Sequence, residues 1–517
     1  METQEVITLQ FGSYSNYVGA HYWNLQQKAI LDSDEEDNIK LFKSSFGKHK
    51  NKFPRTICFD IKNSLKTLKE DGSFTDELKQ KENINGLPFE SEPVLYEQDL
   101  FKKNLSKESK DFEETVTTWT DFMEFELQEN SLQLLSNNYN DGESFTCFGL
   151  GKQEFLNIRE EFEDKLHFWV EECNNLEGFQ VFTDFHNGFS GLSSQCVEDL
   201  RDEYNKKCLL SYLNWPVHLL NKENCIYEDI NAALAFRSYM DFCDLSVIQS
   251  LQKDMFDQKS LNVVNIENIN YKPNLQYHTS AVLAATIDCT SLSWRLPNRK
   301  ISMSEQCYLI SQGTRTFAGS AFSVPFVKSS NTLLEKLYSM DSYYDSLVFT
   351  LSPYASKSLV PFNQLITLRN IPENMIIPSV IKPALLQSLG LNSNVFNLNP
   401  ISVLDFFSSK FYPSESTISH SFYSKQRLDL GFPFPSIING KSGDKKDLYN
   451  NVTSMGALYS SPSFNLVLNE VVKRIKKLST SKKHILQEFD LNNDLAKELI
   501  EDLQNLAYIY DDCKLSL

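Results

Sequence analysis

The chain has 517 residues, 41% of them hydrophobic and 23% charged, which is enough for two to four well-cored domains. Fifty Lys and Arg stand against 68 Asp and Glu, a formal net charge of −18. That balance argues against a nonspecific nucleic-acid binder, which needs clustered cations, and against broad adhesion to anionic lipid.

The ten cysteines include no C-x-x-C pair, and several sit in apolar runs, so a reducing compartment is expected. The acidic start, Met1-Glu-Thr-Gln-Glu5, reads as neither a secretory signal nor a transit peptide. The longest apolar candidate for a membrane span, Ala281–Trp294, is broken by Asp288, so no spanning helix is expected.

The pattern opens with a buried strand, Val6-Ile-Thr-Leu-Gln-Phe11, and a small-residue turn, Gly12-Ser-Tyr-Ser-Asn16. Val18, Tyr22 and Leu25 then mark one helix face. Residues 32–52 are charged and read as a solvated loop. Arg55–Ile61 is a further strand with Asp60 near its carboxyl end, where ligands gather in open α/β sheets. Residues 66–115, rich in Lys, Glu, Asp and Ser, read as a mobile insertion with one or two short helices.

An amphipathic pattern from Trp119 ends near Asn137, and Trp23, Trp119 and Trp169 each sit in helical patterns as core anchors. Phe155, Ile158, Phe162, Leu166, Trp169 and Cys173 keep helical spacing for about five turns. Gly178–Tyr204 follows as strand, loop and helix. Phe179, Val181 and Phe182 form the strand; Asn187, Gly188, Ser190 and Gly191 the loop; Leu192, Cys196, Leu200 and Tyr204 the helix. A loop of this kind frees backbone N–H groups for an anion, and is equally an ordinary tight turn.

Further strands are expected at Cys208–Tyr212 and Leu245–Ile248, with a helix between them around Ile230, Leu234 and Phe236. A compact apolar helix, Thr279–Asp288, runs on to Trp294-Arg-Leu-Pro297. Beyond it short apolar runs (Thr316–Val327, Ser346–Leu351, Met375–Val380, Phe432–Ile438) suggest a second α+β domain with a mixed sheet. Leu495, Leu499, Leu503 and Leu506 line a last amphipathic helix. The basic run Lys473-Arg-Ile-Lys-Lys477 is by default an exposed helix face, with contact to anionic lipid or an acidic protein tail as its alternative. Gly188–Leu192 is a poor serine-hydrolase elbow, because Leu192 stands where the second glycine is needed.

The two strand–loop–helix units, the carboxylate at a strand end and the core helix resemble the tubulin/FtsZ superfamily. More closely, Val18-Gly-Ala-His-Tyr-Trp-Asn24, Leu166-His-Phe-Trp-Val-Glu-Glu-Cys173, Gly178-Phe-Gln180, His186-Asn-Gly-Phe-Ser-Gly191 and Asp202-Glu-Tyr204 resemble its Misato/Dml branch. The resemblance covers the first 300 residues specifically and the remainder loosely.

The resemblance implies an α/β fold with a tubulin/FtsZ-like, Rossmann-type N-terminal domain (1–275), a core helix (276–297), a second α+β domain (298–460) and a C-terminal helical region (461–517). It also implies control of mitochondrial distribution and morphology, a cytoplasmic and peripheral outer-membrane location, and protein partners at the mitochondrial surface. Tubulin or tubulin chaperones are further candidate partners, and spindle organisation is an alternative role. Nucleic acid and metal are not expected.

Carried over residue by residue, the nucleotide-binding positions are Gly12, Ser13, Asn16, Asp60, Gly188, Ser190 and Gly191. The set is degenerate. Ser13, Tyr14 and Ser15 replace tubulin's Gln, Cys and Gly, and Lys62 stands in for an acid. Phe189 interrupts the glycine-rich signature, and Ser280 aligns with the guanine-contacting Asn. After the core helix, Arg299 and Lys300 stand where a catalytic acid is expected. The expectation is a chain without GTPase activity and with no certain cofactor. GTP or GDP binding, as a switch or weak GTPase, stays open as the alternative, because helix N-termini need few side chains to hold phosphate.

Overall fold

The structure is a computed structural model. It describes residues 4–31, 40–44, 52–66, 68–69, 72, 112–139, 144–217, 225–256, 261–296, 301–326, 349–353, 360–370, 375–376, 397–398, 417–426, 428–438 and 452–511. Most of the expected insertion at 66–115, and Asn298, Arg299 and Lys300 of the loop after the core helix, lie outside the described residues.

One large sheet dominates. Its strands are β1 (Glu5–Phe11), β2 (Thr56–Asp60), β3 (Leu132–Leu134), β4 (Leu176–Asp184), β5 (Cys208–Trp215), β6 (Leu245–Ser250), β7 (Phe317–Phe326), β8 (Phe349–Thr350), β9 (Asn363–Arg369), β10 (Ile418–Ser424) and β11 (Thr453–Ser460). The order is β10-β9-β11-β7-β6-β5-β4-β1-β2-β3, with β8 paired to β7. From β3 to β7 every pairing is parallel. β11 then runs antiparallel to both β7 and β9, and β10 parallel to β9.

Every residue of β1, β4 and β5 is buried, as expected of parallel strands covered on both faces. On one face lie α1 (Ser13–Leu31) and the core helix α5 (Gln276–Thr290), whose residues from Tyr277 to Thr290 are all buried. On the other lie α2 (Phe148–Glu171), α3 (Phe189–Glu203), α4 (Cys225–Phe242), α7 (Ser463–Ser481) and α8 (Asn493–Ile509). Between β6 and β7, after α5, lies α6 (Met303–Ser311).

Two local expectations change. The pattern after Trp119 is not a continuous helix: it forms a 3-10 turn at Trp119–Phe122, another at Glu129–Ser131 and then β3. Spacing alone does not separate short turns that bury a Trp and a Phe from one amphipathic helix. The longer second-half strands also join the first sheet, while Met375–Ile376 and Asn397–Leu398 pair apart as a two-stranded sheet. β7 pairs in parallel with β6, so the mixed half extends the first sheet. Trp23, Trp119 and Trp169 are fully buried, as core anchors should be.

Candidate functional site

The site lies where β1 and β4, neighbours in register from Val6↔Gly178 to Phe11↔Thr183, hand over to α1 and to the loop before α3. Gly12 makes the first handover. Its φ of +99° favours glycine, and a Cβ there would collide with the Asp184 carboxylate.

The opening turn of an α-helix leaves N–H groups that need acceptors. Here the protein supplies them. The Gly12 amide donates to Phe59 O at 3.2 Å, and the Asn16 amide donates to Gly12 O at 2.9 Å, which begins the helical ladder. The two amides between them donate to Asp184: Tyr14 N–H to Oδ2 at 3.1 Å and Ser15 N–H to Oδ1 at 2.7 Å. Ser15 Oγ adds a third bond to Oδ1 at 2.7 Å, and Asn214 Nδ2 donates to Ser15 Oγ at 3.1 Å. Asp184 is the last residue of β4 and is 2% exposed. A carboxylate thus sits where a helix N-terminus attracts an anion, through the same kind of N–H groups that hold phosphate in nucleotide-binding loops.

Burial pushes the Asp184 carboxyl up to about 7, the three donors from Ser15 and Tyr14 pull it down, and nearby Asp60 adds to the rise. Asp60, fully buried at the end of β2, is raised by burial and drawn back by its donors. It accepts from the Ile61 amide at 2.8 Å, Asn16 Nδ2 at 3.1 Å and Trp119 Nε1 at 2.9 Å. Asn16 Nδ2 also donates to Phe59 O at 3.0 Å, so it ties α1 to the end of β2.

The Tyr14 ring is buried, and its hydroxyl donates to Thr279 Oγ1 on the core helix at 3.1 Å. Ser280 is buried beside it and donates to Gln276 O at 2.6 Å, within its own helix. Lys62 Nζ donates to Ser136 O at 3.1 Å.

The second loop is satisfied in the same internal manner. The Gly188 amide donates to Phe145 O at 2.7 Å, and the Phe189 amide to Asn187 Oδ1 at 3.0 Å. Ser190 donates through both its amide, at 3.0 Å, and its hydroxyl, at 2.6 Å, to Asn187 O. Phe189 is fully buried with its ring edge-on to Phe145 at 5.0 Å. Gly188 packs against the Phe145 ring, and Gly191 against the Phe148 backbone. The Ser190 hydroxyl is thus committed to Asn187 O and not to the His186 imidazole, whose Nε2 lies 3.5 Å from Asn187 Nδ2.

Of the expected residues, Gly12, Asn16 and Asp60 come together around the start of α1. Ser13 opens that helix half-buried. Gly188, Ser190 and Gly191 turn instead toward α2, and among the described residues no hydrogen bond joins Ser190 to the first loop. The decisive group, Asp184, was missing from the expected set. The signal that marked Asp60, an acid at the carboxyl end of a buried strand, was equally present at Asp184.

A family model for the Misato segment II tubulin-like domain matches residues 4–136, and one for the tubulin domain matches residues 108–296. Protein misato homolog 1 of Mus musculus is 25% identical, with 98% of each chain covered. The Danio rerio protein of that name is 26% identical over 98% of this chain and 97% of its own. Protein misato of Drosophila melanogaster is 23% identical over 86% of this chain and 85% of its own. Residues 4–296 thus carry a Misato segment II and a tubulin-like domain, and the chain is similar over nearly its whole length to proteins named misato.

Proposed function

We propose that this protein is a non-catalytic, tubulin-like organiser of mitochondrial distribution and morphology, acting through protein contacts and not through GTP turnover. One observation carries the non-catalytic part: the Asp184 carboxylate already holds the Tyr14 and Ser15 amides at the helix start where a nucleotide's phosphate needs to sit. A nucleotide phosphate entering there finds both amides already taken by the Asp184 carboxyl, the buried Tyr14 ring beside them and a glycine whose N–H is already bonded.

The mitochondrial part rests on the family. Relatives named misato span nearly the full chain. In this reading the protein works at the outer face of mitochondria and in the cytoplasm, attached peripherally. Among the described residues no helix is long and apolar enough to cross a membrane. A second reading, a tubulin-assembly or spindle factor with tubulin or its chaperones as partners, is favoured by the tubulin-domain match over residues 108–296.

The test is to denature the purified protein and assay the supernatant for guanine nucleotide. None above background is expected; a stoichiometric yield of GTP or GDP overturns the reading in favour of a GTP-binding switch. Depletion followed by imaging of mitochondria and spindles together, with microtubule co-sedimentation, separates the two organisational roles.

A further inference from the structure

Away from the nucleotide-type loops, the carboxyl-terminal end of α7 and the start of α4 enclose a cleft of about 320 Å³. That volume sits at the small end of ligand pockets. Lys473, Arg474, Lys477 and Lys482 line it with Asp229 and Glu470, and Ile226 and Leu478 add apolar surface to the lining.

The cations outnumber their partners. Arg474 takes both carboxylates, Asp229 at 3.1 Å and Glu470 at 3.1 Å, and also donates to Phe256 O at 2.8 Å. Lys473 shares Glu470 at 3.1 Å. Among the described residues, the Lys477 and Lys482 ammonium groups have no carboxylate. Lys473 and Lys477 are four apart on one helix, where like charges repel.

Lysines near a helix carboxyl end are ordinarily explained by its dipole and free carbonyls. That explanation covers the sign of the charge. It does not cover a concave arrangement, an Arg474 held by two carboxylates and a carbonyl, or the apolar residues in the lining. The surplus also occurs on a chain of net charge −18, so it is a local departure from the general field of the molecule.

We propose that this cleft binds a compact ring bearing two or more phosphate groups, Lys477 and Lys482 gripping the phosphates and Leu478 and Ile226 lying under the ring. A soluble polyphosphorylated cyclitol and the same headgroup on a lipid present this chemistry alike. An acidic peptide suits it less well, because an extended chain needs an open groove and the cleft ends at the helix terminus.

The full-length protein is titrated with inositol hexakisphosphate. In a separate arm it is sedimented with phosphatidylcholine vesicles with and without phosphatidylinositol bisphosphate. Saturable binding in either arm is expected, and the arm that responds identifies the source. The paired substitution Lys477→Glu with Lys482→Glu is expected to weaken binding at least about tenfold, because two cations facing the phosphates become anions. Both side chains are exposed, so the thermal transition is expected to stay in place. The charge-matched pair Lys206→Glu with Lys497→Glu, also exposed, is expected to bind as the parent does. No binding in either arm, equal loss in both variants, or stronger binding of polyglutamate than of either phosphate ligand overturns the proposal.

Discussion

Asp184 and Asp288 are both buried carboxylates, and their surroundings set them to opposite tasks. Asp184 meets only neutral donors, so burial outweighs its three hydrogen bonds and its proton is held up to about 7. In the unfolded chain the same group releases its proton near 3.8. Below that value both states are protonated and nothing is lost. Between about 4 and 7 the unfolded state sheds a proton that the folded state keeps, so stability falls as pH rises through this window. The full swing is on the order of 4 kcal/mol at most. Asp184→Asn keeps one acceptor but turns an amide NH2 toward donors, so it is destabilising at pH 5. Because Asn does not titrate, the gap in Tm between variant and parent is expected to narrow from pH 5 to pH 8. Scanning calorimetry across that range checks it; a gap that widens with pH contradicts the assigned direction.

Asp288 instead meets two guanidinium groups, Arg295 Nη2 at 2.8 Å and Arg369 Nη1, and also accepts from Gln26 Nε2. All three charged side chains are at most 1% exposed. Burial lowers Arg369 to about 9, still high enough to keep it charged at neutral pH. The cluster joins α1, the core helix and β9. Asp288→Asn leaves two buried cations short of their counter-charge and is expected to cost about 3–5 kcal/mol, read as a lower urea midpoint at unchanged m.

At the scale of elements, α2 and α3 pack closely because glycines remove side chains between them. A Cβ on Gly151 would strike Gly188 O and Leu192 N, and one on Gly191 would strike Phe148 O. These are backbone atoms and cannot rotate aside. Gly191→Ala is expected to force the helices apart at about 1–3 kcal/mol or more, visible as a drop in Tm, whereas Gly149→Ala, whose Cβ would meet only Asp490 Oδ2 at 4.0 Å, is expected to change little.

How much of this was legible follows the range of each signal. The spacing from Phe155 to Cys173 announced α2, and the apolar run at residues 6–11 announced β1, because periodicity is local. The loops at Gly12 and Gly188 were legible as turns for the same reason. The Asp184 cap was not. It joins residues 170 apart, and a sequence shows that an acid is present without showing which amides it will meet. The 3-10 turns at Trp119 and Glu129 were missed for a related reason. Trp119 is fixed by its bond to Asp60, a contact across 59 residues that overrides local spacing.

At the scale of the whole molecule, the sheet makes the two halves of the chain interdependent. β7 pairs with β6 on one side and with β11 on the other, and α7 and α8 then return across the first half. Tyr510 closes this return. Its hydroxyl accepts from Phe317 N–H at 2.7 Å and donates to Phe317 O at 2.9 Å, at the first residue of β7, while its ring lies 5.6 Å from that of Phe464. Tyr510→Phe keeps the ring and removes both bonds, leaving a buried amide and carbonyl unpaired at the start of the joining strand. The expected cost is about 1–3 kcal/mol. If the sheet transmits that loss to both halves, tryptophan fluorescence, dominated by residues before 296, and far-UV circular dichroism should move together along the urea axis. Independent halves would instead leave the tryptophan transition in place while the circular dichroism transition broadens at its lower end, and that outcome would show that β6 and β7 are neighbours without being a cooperative unit.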